Sequence, residues 1–231
     1  MSTKPILFNT EMVQAILEGR KTVTRRLVKP RYRDDECGFQ IITNAHTGEF
    51  VRVEKISDQG SGIFPDGSER HVPPPAYPGN ILYVRETWMK DGGKYYYRAD
   101  FESDWLEPCE TLSGGYPAHC RSGCENCQAE SQRIRWKPSI HMPKEAARIF
   151  LRVKNVRVER LQDITADECP MEGVWPLAAC TVGERDTYYR SKFAELWDST
   201  IKPADIATYG WDANPWVWVI KFEKINKEEV E

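Results

Sequence analysis

Gly19-Arg20-Lys21-Thr22-Val23-Thr24-Arg25-Arg26 brings a lysine, two hydroxyls and three arginines together, and it opens a run from Gly19 to Arg33 with seven Lys/Arg and no acid. In a chain of net charge −3 such a concentrated positive cluster attracts phosphate or another anion. It also holds the raw material of a nucleophilic or proton-transfer site. A threonine hydroxyl is a poor nucleophile until something takes or screens its proton, and a lysine in reach can do so if Arg20, Arg25 and Arg26 depress its pKa. The plainer reading of the same run is a solvated basic loop, with Thr24 satisfying backbone groups and Lys21 in an ordinary ion pair.

A second chemistry-bearing stretch is Cys120-Arg-Ser-Gly-Cys124-Glu-Asn-Cys127, preceded by Cys109 and His119. Tight thiol spacings set among Gly and Pro, with few core-forming residues, fit a structural zinc knuckle, since a tetrahedral ion wants four soft ligands and short loops let neighbouring thiolates share it. Cys109, Cys120, Cys124 and Cys127 are the expected ligands, with His119 as a substitute; iron–sulfur ligation or free thiols are the alternatives. A closed four-ligand site has no position for water, so this metal would hold the insert together and do no chemistry.

The elements that must position these groups follow from periodicity. Pro5 to Phe8 reads as a strand, and Asn9 or Thr10 caps a short helix with Val13, Ile16 and Leu17 on one face and Gly19 at its end. Lys21 and Thr24 then fall in the turn just past the helix, where a separation of three brings two side chains to one side; in a straight strand they would point apart. From about 29 to 80 the chain is poor in apolar periodicity and reads as a surface excursion with short strands at Phe39–Thr43 and Phe50–Val53.

Past the breakers Pro73 to Pro75 and Pro78-Gly79 comes a buried strand, Ile81 to Trp88, ending in Arg85 and Glu86. Lys94 to Ala99 pairs with it as a hairpin across Asp91-Gly92-Gly93. The cysteine insert occupies about 103 to 132. A long strand runs from Ile149 to Leu161. Thr165-Ala-Asp-Glu168 has the form of a capping box opening a helix toward Glu172, shortened or kinked by Pro170. A better helix spans about Glu184 to Ser199 with Tyr189, Phe193, Leu196 and Trp197 on one face, and the last strand is Trp216 to Phe222. His141 reads as a structural histidine or as a ligand or base, and Trp211 and Trp216 as core or as base-stacking residues.

The 40% hydrophobic and 29% charged composition fits a soluble globular chain. No stretch nears the roughly 18 apolar residues of a membrane helix, and Met-Ser-Thr-Lys-Pro lacks a signal-peptide layout, so the expected location is the cytoplasm, with no membrane partner. Slight overall acidity argues against wrapping long duplex nucleic acid, while a nucleotide or a short single strand remains compatible with a local basic cleft.

The order strand, helix, Gly-Arg-Lys-Thr-x-Thr, Pro-Gly-x-Ile-Leu-x-Val-Arg-Glu-x-Trp, long strand, Glu-Gly-Val and closing strand resembles the ASCH family of the PUA-like superfamily. The stretches Arg85-Glu-Thr-Trp88, Ser139-Ile-His-Met-Pro-Lys144 and Asn214-Pro-Trp-Val-Trp-Val-Ile220 are similar to a version common in phages and prophages. The resemblance spans nearly the whole chain. It implies an α+β fold in a single domain over 1–231, a PUA-like small mixed β-barrel with flanking helices, decorated by the 29–80 excursion and the zinc-knuckle-like insert.

ASCH proteins are usually regarded as RNA-binding or RNA-linked, and one small bacterial member is an amidohydrolase of N(4)-acetylcytidine. Its proposed catalytic lysine, threonine and glutamate fall on Lys21, Thr24 and Glu172. The resemblance thus implies an amidohydrolase of N(4)-acylated cytidine nucleosides or nucleotides, with Arg20, Arg25 and Arg26 on the substrate and Arg85 and Glu86 as reserve anchor and acid. The alternatives are a non-catalytic module that binds RNA, and a phage accessory factor that masks a host protein. Structural zinc is the only cofactor expected, with no organic one, and nothing in the sequence fixes an oligomeric state.

Overall fold

The computed structural model describes residues 3–28, 39–43, 50–55, 71–101, 136–175 and 182–230. In chain order its elements are β1 (Thr3–Leu7), α1 (Thr10–Leu17), β2 (Val23–Leu27), β3 (Phe39–Thr43), β4 (Phe50–Lys55), β5 (His71–Val72), β6 (Ile81–Arg85), β7 (Trp88–Asp91), β8 (Lys94–Tyr97), β9 (Phe150–Arg160), α2 (Val182–Ser199), α3 (Ile206–Tyr209) and β10 (Trp216–Ile225). The fold is α+β and dominated by sheet. Contacts gather the chain into two compact units, one of Met1–Gly19, Ile81–Leu151 and Lys224–Glu231, the other of Arg20–Asn80 and Arg152–Glu223.

In the first unit β1 runs parallel to β6, from Thr3 opposite Ile81 to Leu7 opposite Arg85. β6 lies next to the start of β9, where Val84 N donates to Ile149 O at 3.0 Å. Helix α1 starts where the Asn9 side chain accepts from Met12 N at 2.9 Å. It ends before Gly19, whose φ of +78° favours a residue without Cβ. The hairpin forms across Gly92 and Gly93, both at positive φ, as a two-residue loop requires. Its first strand differs from expectation: the chain breaks at Glu86-Thr87, so the partner of β8 is Trp88–Asp91 rather than the Ile81 strand.

In the second unit the strand order is β9-β10-β2, with β2 antiparallel to β10 and Val23 opposite Lys221, Arg25 opposite Val219 and Leu27 opposite Val217. Successive side chains leave opposite faces of a strand. Val23, Val217 and Val219 therefore share a face, where they pack with Leu161, Ile164, Cys169 and the α2 residues Tyr189, Phe193 and Trp197. Val28 and Trp218 lie on the other face and pack with Val53 of β4 and Val72 of β5 in the antiparallel sheet β3-β4-β5. Burying both faces explains why β10 reads as an unbroken apolar and aromatic run.

The excursion between 29 and 80 thus supplies strands and core residues to this unit. The capping-box stretch Thr165–Glu168 opens no α-helix. It forms a turn, followed by a 3-10 turn at Pro170–Glu172 that ends on Gly173 with φ +103°. Pro170 lacks the N–H that a longer helix would need.

Candidate functional site

Glu172 reaches its place because the 3-10 turn that carries it is tied to the start of β2: Thr22 N donates to Met171 O at 2.9 Å. Lys21 then turns back into the protein. Its Nζ donates to Val23 O at 2.8 Å, to the Glu172 backbone carbonyl at 2.7 Å and to Glu172 Oε2 at 2.8 Å. Those three contacts use all the protons of an ammonium. The other carboxylate oxygen, Glu172 Oε1, accepts from Arg25 NH1 at 3.0 Å. Both side chains of the Lys21–Glu172 pair are essentially closed to solvent, 0% and 5% exposed.

Arg25 extends the network. Its NH2 lies 2.5 Å from Glu159 Oε1 and 2.6 Å from Glu168 Oε2, and Arg157 contacts both of these acids from the other side, at 2.9 and 2.6 Å. Lys21, Arg25 and Arg157 are thus matched by Glu159, Glu168 and Glu172, which is how a buried charge cluster avoids the desolvation penalty of an unpaired ion. Arg157 and Glu159 are two apart on β9 and so share a face, while Val156 and Val158 pack against the Val28–Trp218 cluster on the other side.

Burial pulls the Lys21 ammonium below the ordinary lysine range; Glu172 opposes this and Arg26 and Arg25 reinforce it. Burial likewise lowers Arg26, with Glu172 opposing. Burial works against the charge of Arg25 too, but Glu172, Glu159 and Glu168 outweigh it and hold that guanidinium above its usual value. For Glu168, burial raises the carboxyl, and Arg25 with Arg157 more than reverse it. Burial pushes the Cys169 thiol, in the same turn, up to about 12, which leaves it an inert core residue.

Sequence reasoning selected Lys21 and Glu172, and they touch. Thr24 is buried, but it lies within β2 rather than in a turn, opposite Ile220 of β10. Alternation gives Thr24 the face opposite to that of Val23 and Arg25. Arg20 donates from NH1 to Gly173 O at 3.2 Å, and its guanidinium stacks 4.1 Å over the ring of Trp175, an indole that is 66% exposed. Trp175 went unnoticed in the sequence; its position three residues past Glu172 was the available signal. Glu159, Glu168 and Arg157 were also missed, although opposite charges two apart on a strand mark a shared face.

Arg85 and Glu86 belong to the first unit. Glu86 is buried and held by Arg148 through two bonds, Nε to Oε1 at 2.9 Å and NH2 to Oε2 at 3.0 Å, while Arg148 also binds Asp100. Burial raises the Glu86 carboxyl despite Arg148. His141 is exposed. Trp211 packs edge-on against Phe193 and Trp216 lies under Arg160, and both are partly buried against core clusters of the second unit. Cys109, Cys120, Cys124, Cys127 and His119 lie outside the described residues. Among the described residues no group of three or more His, Cys, Asp or Glu is placed to hold a metal, and no helix is long and apolar enough to cross a membrane.

No protein-family model, curated protein or solved structure matches the chain.

Proposed function

We propose that the chain is an ASCH-type amidohydrolase of N(4)-acylated cytidine nucleosides or nucleotides, built on a PUA-like barrel. The observation that supports this reading is the contact between Lys21 and Glu172. A resemblance in two short motifs singles out these two residues as catalytic, and they are 151 positions apart yet 2.8 Å from each other. A lysine whose pKa is lowered by burial, paired with a buried carboxylate, is a combination found at proton-transfer sites.

In this reading the attacking oxygen is water, because Thr24 alternates to the other face of β2. Substrate entry requires the Lys21–Glu172 contact, which is closed to solvent, to open, and the substrate's carbonyl oxygen then takes over the Lys21 hydrogen bond now given to Glu172 Oε2. That exchange places a cation where negative charge develops and frees the carboxylate. Glu172 accepts a proton from the attacking water and passes it to the cytosine N4 as the acyl carbon–nitrogen bond breaks, giving a carboxylic acid and the free amine. Arg25 holds the second oxygen of Glu172 throughout and so fixes the acid's orientation. Structural zinc bound by Cys109, Cys120, Cys124 and Cys127 belongs to the same proposal as a brace for the insert. Release of cytidine from N(4)-acetylcytidine and its 5′-monophosphate, with Lys21→Met and Glu172→Gln as controls, tests it.

One observation favours the RNA-binding alternative. Trp175 projects into solvent with Arg20 stacked on it, beside the Lys21 segment, which is how a protein offers a platform to an unstacked base. Salt-dependent binding of single-stranded RNA that survives Lys21→Met but not Trp175→Ala would decide for it.

A further inference from the structure

In the first unit, at the junction of β6 and β7, two buried donors point at no acceptor. They are the Nε–H of Arg85 and the indole Nε1–H of Trp88, the two side-chain groups of this kind among the described residues. Native proteins rarely tolerate such groups unless something else satisfies them. The two residues are three apart in the chain, and both are tied to one segment. Arg85 NH1 donates to Ile140 O at 3.3 Å, while Trp88 and Lys137 exchange backbone hydrogen bonds of 3.1 and 2.7 Å.

The charges around them are one-sided. Lys137 Nζ lies 4.9 Å from the Trp88 ring, and Lys144 Nζ and the Arg85 guanidinium lie 6.0 and 5.7 Å from the single ring of Tyr83. Two of the acids nearby are paired with another arginine, and the third, Glu145, is exposed with one long contact. Glu86 and Asp100 bind Arg148, and Glu145 accepts from the Tyr95 hydroxyl at 3.5 Å. Among the described residues no carboxylate pairs with Arg85. A guanidinium, an indole donor and two exposed ammonium groups with no described carboxylate paired to them suit an oxygen-rich anion.

We propose that Arg85, Trp88, Lys137 and Lys144 form a phosphate-binding site. The arginine fork matches two oxygens of a phosphate, the indole N–H supplies a directional third contact, and the lysines act as point charges at its edge. The phosphate belongs either to a nucleotide or to the backbone of a single RNA strand, and the site does not depend on the hydrolase reading, because its readout is binding.

The experiment titrates the full-length ¹⁵N-labelled protein with inorganic phosphate, cytidine 5′-monophosphate and a short oligouridylate. The Trp88 indole and Arg85 Nε–H resonances, identified by their loss in Trp88→Phe and Arg85→Lys, should move saturably, and Arg85→Gln should weaken binding about tenfold or more. Lys144→Gln, an exposed change that leaves the core intact, should weaken it by a smaller factor of about three. Tightest binding of the monophosphate assigns a nucleotide. Tightest binding of the oligouridylate, with affinity falling steeply with salt, assigns an RNA backbone. Resonances that stay still with all three probes, or that move equally in Arg85→Gln, overturn the proposal. Should Trp88→Phe fail to fold, Arg85→Gln and Lys144→Gln carry the test alone.

Discussion

Lys21 Nζ sits 2.8 Å from Glu172 Oε2, with Arg25 on the other oxygen of the same carboxylate at 3.0 Å. The arrangement ties the entry of β2 to a 3-10 turn far along the chain. Its stability and its chemistry therefore depend on the same atoms, and each can be measured separately.

Removing one member of a buried pair strands the other where no second partner holds it. Lys21→Met leaves Glu172 paired with Arg25 and is expected to cost less, whereas Glu172→Gln leaves the Lys21 ammonium as an uncompensated buried charge and is expected to cost about 3–5 kcal/mol. In a chain of this size that lowers Tm by about 6–20 °C. Lys21→Met combined with Glu172→Gln should cost less than the two single losses added together. Calorimetry checks this, and single changes that leave Tm unaltered would show that the pair does not form in solution.

Glu168 sets a pH dependence. Arg25 and Arg157 overcome the effect of burial and hold its carboxyl below the ordinary carboxylate range in the folded state. The unfolded chain therefore binds the proton more readily, so stability rises with pH through that window. The stability advantage of the native protein over Glu168→Gln should be steady between about pH 5 and pH 7 and shrink as pH falls through the depressed carboxyl value. Urea titrations across pH measure it. An advantage that grows on acidification would contradict the assignment.

Gly19→Ala isolates a backbone effect. The residue ends α1 at φ +78°, and a Cβ built there meets nothing within 4 Å. The expected cost is therefore conformational alone, about 1 kcal/mol. A loss of several kcal/mol in the unfolding free energy from urea titration would mean that a Cβ at this turn meets neighbouring atoms.

The cysteine insert makes an analytical prediction. Protein purified without added metal should carry one zinc per chain, and Cys124→Ser with Cys127→Ser should remove it, with a drop in Tm on chelation. Metal-free protein, or zinc kept by the double variant, would exclude the knuckle.

The sequence was readable where one period dominates. Tyr189, Phe193 and Trp197 at helical spacing lie on the buried face of α2, and Phe39–Thr43, the Gly92-Gly93 hairpin turn and the closing strand appear where alternation and turn residues indicate them. It was less readable where a long-range partner decides. Thr165-Ala-Asp-Glu168 has a capping-box form, yet the Glu168 carboxylate is drawn to Arg25 and Arg157, and Pro170 prevents an α-helix from continuing. Thr24 reads as a turn residue beside Lys21 until β10 pairs with β2 and makes it a strand residue. Glu86 and Arg85 look equivalent in sequence. Only the position of Arg148 shows that Glu86 is satisfied while Arg85 keeps a donor without an acceptor.

The most direct measurement of the central claim is cytidine release from N(4)-acetylcytidine and its 5′-monophosphate by the purified full chain, run below the melting temperature of every variant. The account predicts turnover by the native protein that falls about a hundredfold or more in Lys21→Met and Glu172→Gln and less than about tenfold in Thr24→Ala. No cytidine from either compound, or release that neither Lys21→Met nor Glu172→Gln alters, would contradict it.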